Sequence, residues 1–210
     1  AFLPIAALLA LWAGISRAEE QELIAHIIPH SHCDPGWLMK FEDYYDREVS
    51  RILSGVLDEL GKDPTKRFVW AEISFFMRWY EGLEPARKDA FRSLVKNGQL
   101  EFVGAGWVQH DEANPHLPSI LNHLTEGHEY VASLFGVRPR IAWQIDPFGH
   151  SSLTPEVFAR AGFDALVINR IHFDAKRRLK EEAGMEFVWR TPGAATVDMF
   201  THVLHTHYSA

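Results

Sequence analysis

Three stretches of the chain bring together residue types that do chemistry in company. The first is His30-Ser31-His32-Cys33-Asp34-Pro35-Gly36-Trp37, directly after an apolar, β-branched run. Side chains two apart in an extended chain point the same way, so His32 and Asp34 can converge while Cys33 faces away. An imidazole nitrogen beside a carboxylate oxygen suits zinc. The same triplet also serves as an ordinary hydrogen-bonded loop, and alone it does not separate the two. Pro35-Gly36 turns the chain, and Trp37 offers a flat apolar face of the kind that stacks on a sugar ring. The second stretch is Trp143-Gln144-Ile145-Asp146-Pro147-Phe148-Gly149-His150-Ser151. Here Asp146 follows a strand pattern and reads as a third metal ligand, a nucleophile, or a turn aspartate ahead of Pro147. The third is Trp107 to Pro115, where His110, Asp111 and Glu112 stand together as acid/base candidates or as solvated loop residues. Glu72 stands at another strand end and is equally open. His202, His205 and His207 suggest metal by type, but His205 and His207 would share a strand face with little else.

The elements that must position these groups alternate between two periodicities. Ala25 to Pro29, Phe68 to Ala71, Gln99 to Val103, Arg140 to Ile145 and Ala165 to Asn169 read as strands, the first of them buried. Phe187 to Arg190 and Met199 to Val203 look like further short strands. Tyr45 to Leu60 has helical spacing, with Gly61 as its C-cap signal. Ile73 to Tyr80, Pro85 to Lys96 and Pro155 to Ala161 also read as helices. So does Pro118 to Phe135, with Ile120, Leu121, Leu124, Val131 and Leu134 on its apolar side. Strands alternating with helices imply an α/β fold with a parallel sheet and crossover helices. In such folds functional groups collect at the C-terminal ends of the strands, which is where the three stretches fall. No linker divides residues 25 to 210.

The formal net charge is −7, and the only basic cluster is Lys176, Arg177, Arg178 and Lys180. That cluster reads as a solvated helix face, so no nucleic-acid footprint is visible. One cysteine, Cys33, excludes a disulfide within the chain. Phe2 to Ile15 is almost wholly apolar. Ser16-Arg17-Ala18 and a glutamate-rich run follow, so residues 1–18 read as a secretory signal or a signal anchor.

Several ordered segments together resemble glycoside hydrolase family 38, the class II α-mannosidases: PHSHCDPGW, FVWAEISFFMRWY, NGQLEFVGAGWVQHDEANPH, LTEGH, WQIDPFGHSS, INRIHF and EFVWR. They run from about Ile24 to His202, and their wording is closer to the Golgi-type branch than to the lysosomal one. The resemblance implies a barrel-like α/β domain holding Zn2+, with His32, Asp34 and Asp146 as ligands and Asp146 also as nucleophile. It places Trp37 and Phe148 at the sugar subsite and Arg170 beside the nucleophile. It implies zinc-assisted retaining hydrolysis of terminal α-mannosyl residues of glycans in the secretory pathway: Golgi, lysosomal or secreted. Two departures stand out. Cys33 replaces the family's usual asparagine, and LHTHYSA replaces its usual aromatic segment. The chain reads as the N-terminal part of the catalytic domain, incomplete at the C-terminus. The family's last zinc-binding histidine and its acid/base aspartate are expected beyond residue 210, so residues 1–210 alone should bind zinc weakly and not turn over. Two other classes fit parts of the pattern: a non-catalytic mannose-binding module and a metal-dependent polysaccharide deacetylase.

Overall fold

The computed structural model describes residues 25–192 and 196–208; the apolar run at 1–18 lies outside them. No helix among the described residues is long and apolar enough to cross a membrane.

Two parallel sheets form the centre. β1 (Phe68–Trp70) pairs with β2 (Leu100–Phe102) in register Phe68↔Leu100. The second sheet has the order β3 (Ile141–Gln144), β4 (Ala165–Ile168), β6 (Asp198–Val203), β5 (Glu186–Arg190). β3, β4 and β6 are parallel, and β5 closes the edge antiparallel to β6. The two sheets meet where the Gly104 amide donates to the Ile141 carbonyl at 2.7 Å. On the other flank, the Val69 amide donates to the Pro29 carbonyl at 3.0 Å and His30 bridges Val69. The two sheets thus join edge to edge through the Gly104–Ile141 hydrogen bond.

The structure departs from the sequence reading at two elements. Residues 25–29 are not a buried strand: they meet the ladder only through Pro29, and Ile27 is 87% exposed. β-Branched composition favours a pleated backbone but does not supply a covering face. The last two strands, β5 and β6, form an antiparallel hairpin. Its connection is too short for the crossover of a dozen or more residues that parallel pairing requires. Finally, Gly61 does not cap its helix. That helix starts at Phe41, passes through one widened π turn at Tyr45–Val49 and ends at Lys62. The side-chain Nε2 of Gln99 donates to the carbonyls of Leu60 and Asp63 at 2.8 and 2.9 Å. It thereby satisfies the helix end that a glycine would otherwise close.

The helices are placed by their apolar faces. α1 (Phe41–Tyr44) leads through the π turn into α2 (Ser50–Lys62), whose Leu53, Leu57 and Leu60 recur at helical spacing and are buried. α3 (Ile73–Glu81) and α4 (Pro85–Lys96) join α2 over β1 and β2 in one apolar core. Within it Phe76 meets Phe91 and Phe102 at 5.1 and 5.0 Å between ring centres. α5 (Leu117–Phe135) belongs to both halves. Its Ile120 and Leu124 lie in the core over β3, β4 and β6, and its Val131 lies in the core over β1 and β2. Leu121, expected on the apolar side, is exposed instead. α6 (Leu153–Arg160) completes the second core. α7 (Phe173–Glu181), which carries the basic cluster, buries no residue, as a solvated face requires.

α5 approaches the sheet closely at one glycine. A Cβ on Gly127 would stand 2.1 Å from the Ala105 carbonyl oxygen and 2.8 Å from the Gly106 carbonyl carbon. Both atoms are backbone, in a bend where Gly104 and Ala105 take positive φ of 62° and 47°. Gly127→Ala should therefore destabilise the protein by about 2–3 kcal/mol. Gly55→Ala, whose Cβ would meet nothing within 4 Å, should be neutral or stabilising by about 0.5–1 kcal/mol. Urea unfolding of both variants checks this; equal midpoints would show that helix and bend do not touch.

Candidate functional site

The groups singled out by type sit past the C-terminal ends of parallel strands. His32 and Asp34 follow the bridge at His30, Glu72 follows β1, Asp146 follows β3 and Arg170 follows β4. Strand alternation and the Pro35-Gly36 turn bring His32 and Asp34 to one side. Cys33 is turned into the first apolar core, where burial pushes its thiol up to about 11. Its sulfur meets Ser31 Oγ at 3.5 Å, and it has no place among the converging donors.

His32 Nε2 lies 3.6 Å from Asp34 Oδ1 and 3.4 Å from Asp146 Oδ2. One donor atom from each of the three residues falls within 4.8 Å of the others. Nε2 itself is buried with no hydrogen-bond partner. On the far side of the ring, Nδ1 lies 3.1 Å from Oε1 of Glu72, which is 1% exposed. A carboxylate accepts and does not donate, so Nδ1 carries a proton, and in the neutral ring Nε2 keeps its lone pair. Burial works against a charged His32. The hydrogen bond to Glu72 and the charges of Glu72, Asp146 and Asp34 outweigh it and raise the ring's pKa. An orphaned imidazole nitrogen facing two carboxylates is a donor set that fits zinc.

Asp146 is gripped from the opposite direction. Its Oδ1 accepts from Arg170 Nε and Nη2 at 2.9 and 2.6 Å, and from the Tyr208 hydroxyl. Its amide donates to Gln109 Oε1 at 3.0 Å, and Gln109 Nε2 donates to the Trp143 carbonyl at 3.2 Å. Burial opposes ionisation. The Tyr208 and Arg170 hydrogen bonds, with the charges of His32 and Arg170, outweigh it and hold the carboxyl below its usual range. Tyr208 carried no sequence signal. It lies past β6 in a loop, and only the folded chain sets it against Asp146.

A cleft of about 770 Å³ opens over these groups, walled by His32, Asp34, Asp146, Asp111, Phe148 and His150 among others. Phe148 is 81% exposed, and the Arg170 guanidinium sits 4.9 Å from its ring centre. Trp37 is exposed too, but it does not line this cleft.

The remaining candidates resolve differently. Glu112 accepts from His150 Nδ1 at 2.8 Å, the Ser151 amide at 2.7 Å, Thr154 Oγ1 at 2.5 Å and Gln144 Nε2 at 3.3 Å. With both oxygens so occupied and its side chain buried, it is an anchor tying residues 150–154 to the 107–115 loop. Asp111 takes the amide and side chain of Asn114 at 2.9 and 2.7 Å. His110 Nδ1 shares a hydrogen bond of 2.9 Å with His123 Nε2, and burial lowers the pKa of both rings, that of His123 to about 3. The three distal histidines form no cluster. His202 pairs with Glu186 across the hairpin at 3.1 Å, and His207 meets Asn169 at 2.8 Å. β6 ends at Val203, so His205 and His207 share no strand face.

Comparison with known proteins gives a consistent picture. The family profile described as the glycosyl hydrolases family 38 N-terminal domain matches residues 22–210. The chain is 42% identical over 185 residues to alpha-mannosidase 2 of Drosophila melanogaster, covering 87% of this chain and 17% of that one. It is 39% identical over 188 residues to alpha-mannosidase 2 of Arabidopsis thaliana, covering 89% and 16%. It thus spans about a sixth of the length of these relatives. The solved structure of an alpha-mannosidase from Enterococcus faecalis V583 superposes with a TM-score of 0.68 at 21% identity, covering 87% of this chain and 20% of that one. At that identity the superposition speaks to the fold, and it agrees with the α/β architecture.

Burial raises the Glu112 pKa, but its hydrogen bonds with His150, Thr154 and Ser151 outweigh that and lower it. A depressed carboxyl contributes stability that is present above its unfolded pKa, about 4.3, and lost as pH falls through the folded value. Glu112→Gln weakens hydrogen bonds to a charged acceptor and should cost about 2–3 kcal/mol at pH 7. The gap to the parent should narrow as pH falls below about 4. Urea midpoints across this range check it; a variant as stable as the parent at pH 7 would refute the anchor.

Proposed function

The chain belongs to glycosyl hydrolases family 38, and from that premise we propose that it carries the nucleophile and metal ligands of a zinc-assisted retaining α-mannosidase. The substrates on this reading are terminal α-mannosyl residues of glycans in the secretory pathway. One observation carries it above the rest: the unpartnered Nε2 of His32 faces Asp34 and Asp146, while Arg170 and Tyr208 hold the other oxygen of Asp146.

In this mechanism Asp146, kept ionised by Arg170 and Tyr208, attacks the anomeric carbon from the face opposite the leaving oxygen. The bond to that oxygen breaks, its electron pair stays with the leaving group, and an acid/base carboxyl protonates it. The result is a glycosyl ester on Asp146. Water then attacks the same carbon, the acid/base group takes its proton, and the Asp146 carboxylate is released. The three hydrogen bonds on Oδ1, two from Arg170 and one from Tyr208, fix the plane of the carboxylate, so that attack needs little reorganisation. His32, Asp34 and Asp146 would hold the zinc ion, which when bound supplies a template for neighbouring sugar hydroxyls and a charge favouring ionised Asp146. Phe148 stacks against the sugar, steadied by Arg170. Glu112 is saturated by its donors and Glu72 sits behind His32, so neither serves as the acid/base group.

The test uses the protein expressed with whatever chain flanks these 210 residues in its gene. Release from a chromogenic α-mannoside is expected, lost with a zinc chelator and restored by zinc. Asp146→Asn should lower turnover by at least about 10³-fold, the scale of losing a group that acts in the transition state. Tyr208→Phe removes one hydrogen bond to a charged oxygen and should lower kcat about tenfold or more. A folded, zinc-loaded protein that does not hydrolyse mannosides but binds them would move the function to sugar binding, and release of acetate from an acetylated glycan would make it a deacetylase.

A further inference from the structure

We propose that Glu72 is a positioning residue for the metal site: its carboxylate fixes the tautomer and orientation of His32 and so sets the affinity of the three-residue cluster for a divalent cation. The inference rests on the reading that His32, Asp34 and Asp146 bind zinc.

Glu72 is an expensive residue to keep where it is. It is 1% exposed, only one of its oxygens has a partner, and Oε2 is buried with none. A buried, half-satisfied carboxylate costs stability and calls for a reason outside packing. Helix capping is not that reason. Glu72 occupies the N-cap position of α3, yet its side chain makes no capping hydrogen bond. The first amides of α3 find other acceptors: Ile73 donates to the Gly106 carbonyl and Ser74 to the Trp107 carbonyl, each at 3.0 Å. The side chain is therefore free to turn to His32, and Oε1 takes up its Nδ1 at 3.1 Å. The backbone beneath is pinned, since the Trp70 indole donates to the Glu72 carbonyl at 2.9 Å. A carboxylate on the far nitrogen of a metal-binding imidazole holds the proton on that nitrogen, aims the near lone pair and makes the ring a stronger donor. Without it, Nδ1–H would be left buried and unpaired, and the ring would be free to turn or to exchange tautomers.

The experiment measures zinc affinity, by competition with a chromophoric chelator, for the parent protein, Glu72→Gln and Glu72→Leu, again with any flanking chain. Circular dichroism checks that each is folded. The visible spectrum of the cobalt-substituted protein reports the ligand set independently of turnover. Glu72→Leu removes the acceptor and should weaken zinc about 10- to 100-fold with an altered cobalt spectrum. Glu72→Gln keeps a carbonyl for Nδ1 but not the charge, and should lie between parent and Glu72→Leu. Unchanged zinc affinity and cobalt spectrum in whichever variant folds would overturn the positioning role while leaving the metal site standing. A parent protein that takes up neither metal would overturn both.

Discussion

An imidazole surrounded by protein has two nitrogens to account for, and His32 divides them. Nδ1 meets the buried Glu72 carboxylate, and Nε2 faces Asp34 and Asp146 with no hydrogen-bond partner. The division works only if Glu72, His32 and Asp146 are all held still, and most of the surrounding architecture bears on that. β1 places Glu72 and the His30–Val69 bridge places His32. β3, with Gln109 and Arg170, places Asp146. Glu72 and Asp146 follow the ends of two parallel strands and His32 follows a bridge to the first of them, so their spacing is set largely by the sheets.

Around this first set lies a second polar layer with its own constraints. Glu112 binds the segment after Asp146 to the 107–115 loop, and the His110–His123 pair ties that loop to α5. Two buried rings that share one hydrogen bond cannot both be charged at tolerable cost, consistent with the depressed pKa of each. Gly106 belongs to the same arrangement. A Cβ there would come within 2.4 Å of the His123 ring, so the bend and the histidine occupy adjoining space.

Much of this could be read from the sequence, because two periodicities and one directional rule carry it. The spacing of Leu53, Leu57 and Leu60 marks α2, and the β-branched run at Ala165–Ile168 marks β4. The preference of functional groups for the C-terminal ends of parallel strands then brings His32, Asp34 and Asp146 together. What was not legible depends on distant partners. Gly61 is an apt helix stop, but Gln99, 38 positions along, satisfies the helix end and lets it continue. Glu112 and Asp111 are adjacent carboxylates of the same apparent kind, and only folding buries one under four donors while leaving the other in its own turn. Tyr208 lies in LHTHYSA, the segment that departs from the family's pattern, so nothing there singles it out; its contact comes from a loop passing close to Asp146. The antiparallel β5 follows from the length of its connection, which periodicity does not weigh.

Among the described residues, one backbone hydrogen bond, Gly104 to Ile141, joins the ladder of β1 and β2 to that of β3 and β4, with α5 packed across both cores. His32 and Asp34 ride on one side of this seam and Asp146 on the other. Breathing of the two halves against each other would therefore change the spacing of the donors directly. By linkage, whatever occupies the donors must resist that breathing to the same degree. Amide hydrogen exchange at the seam and occupancy of the cluster are then two views of one equilibrium.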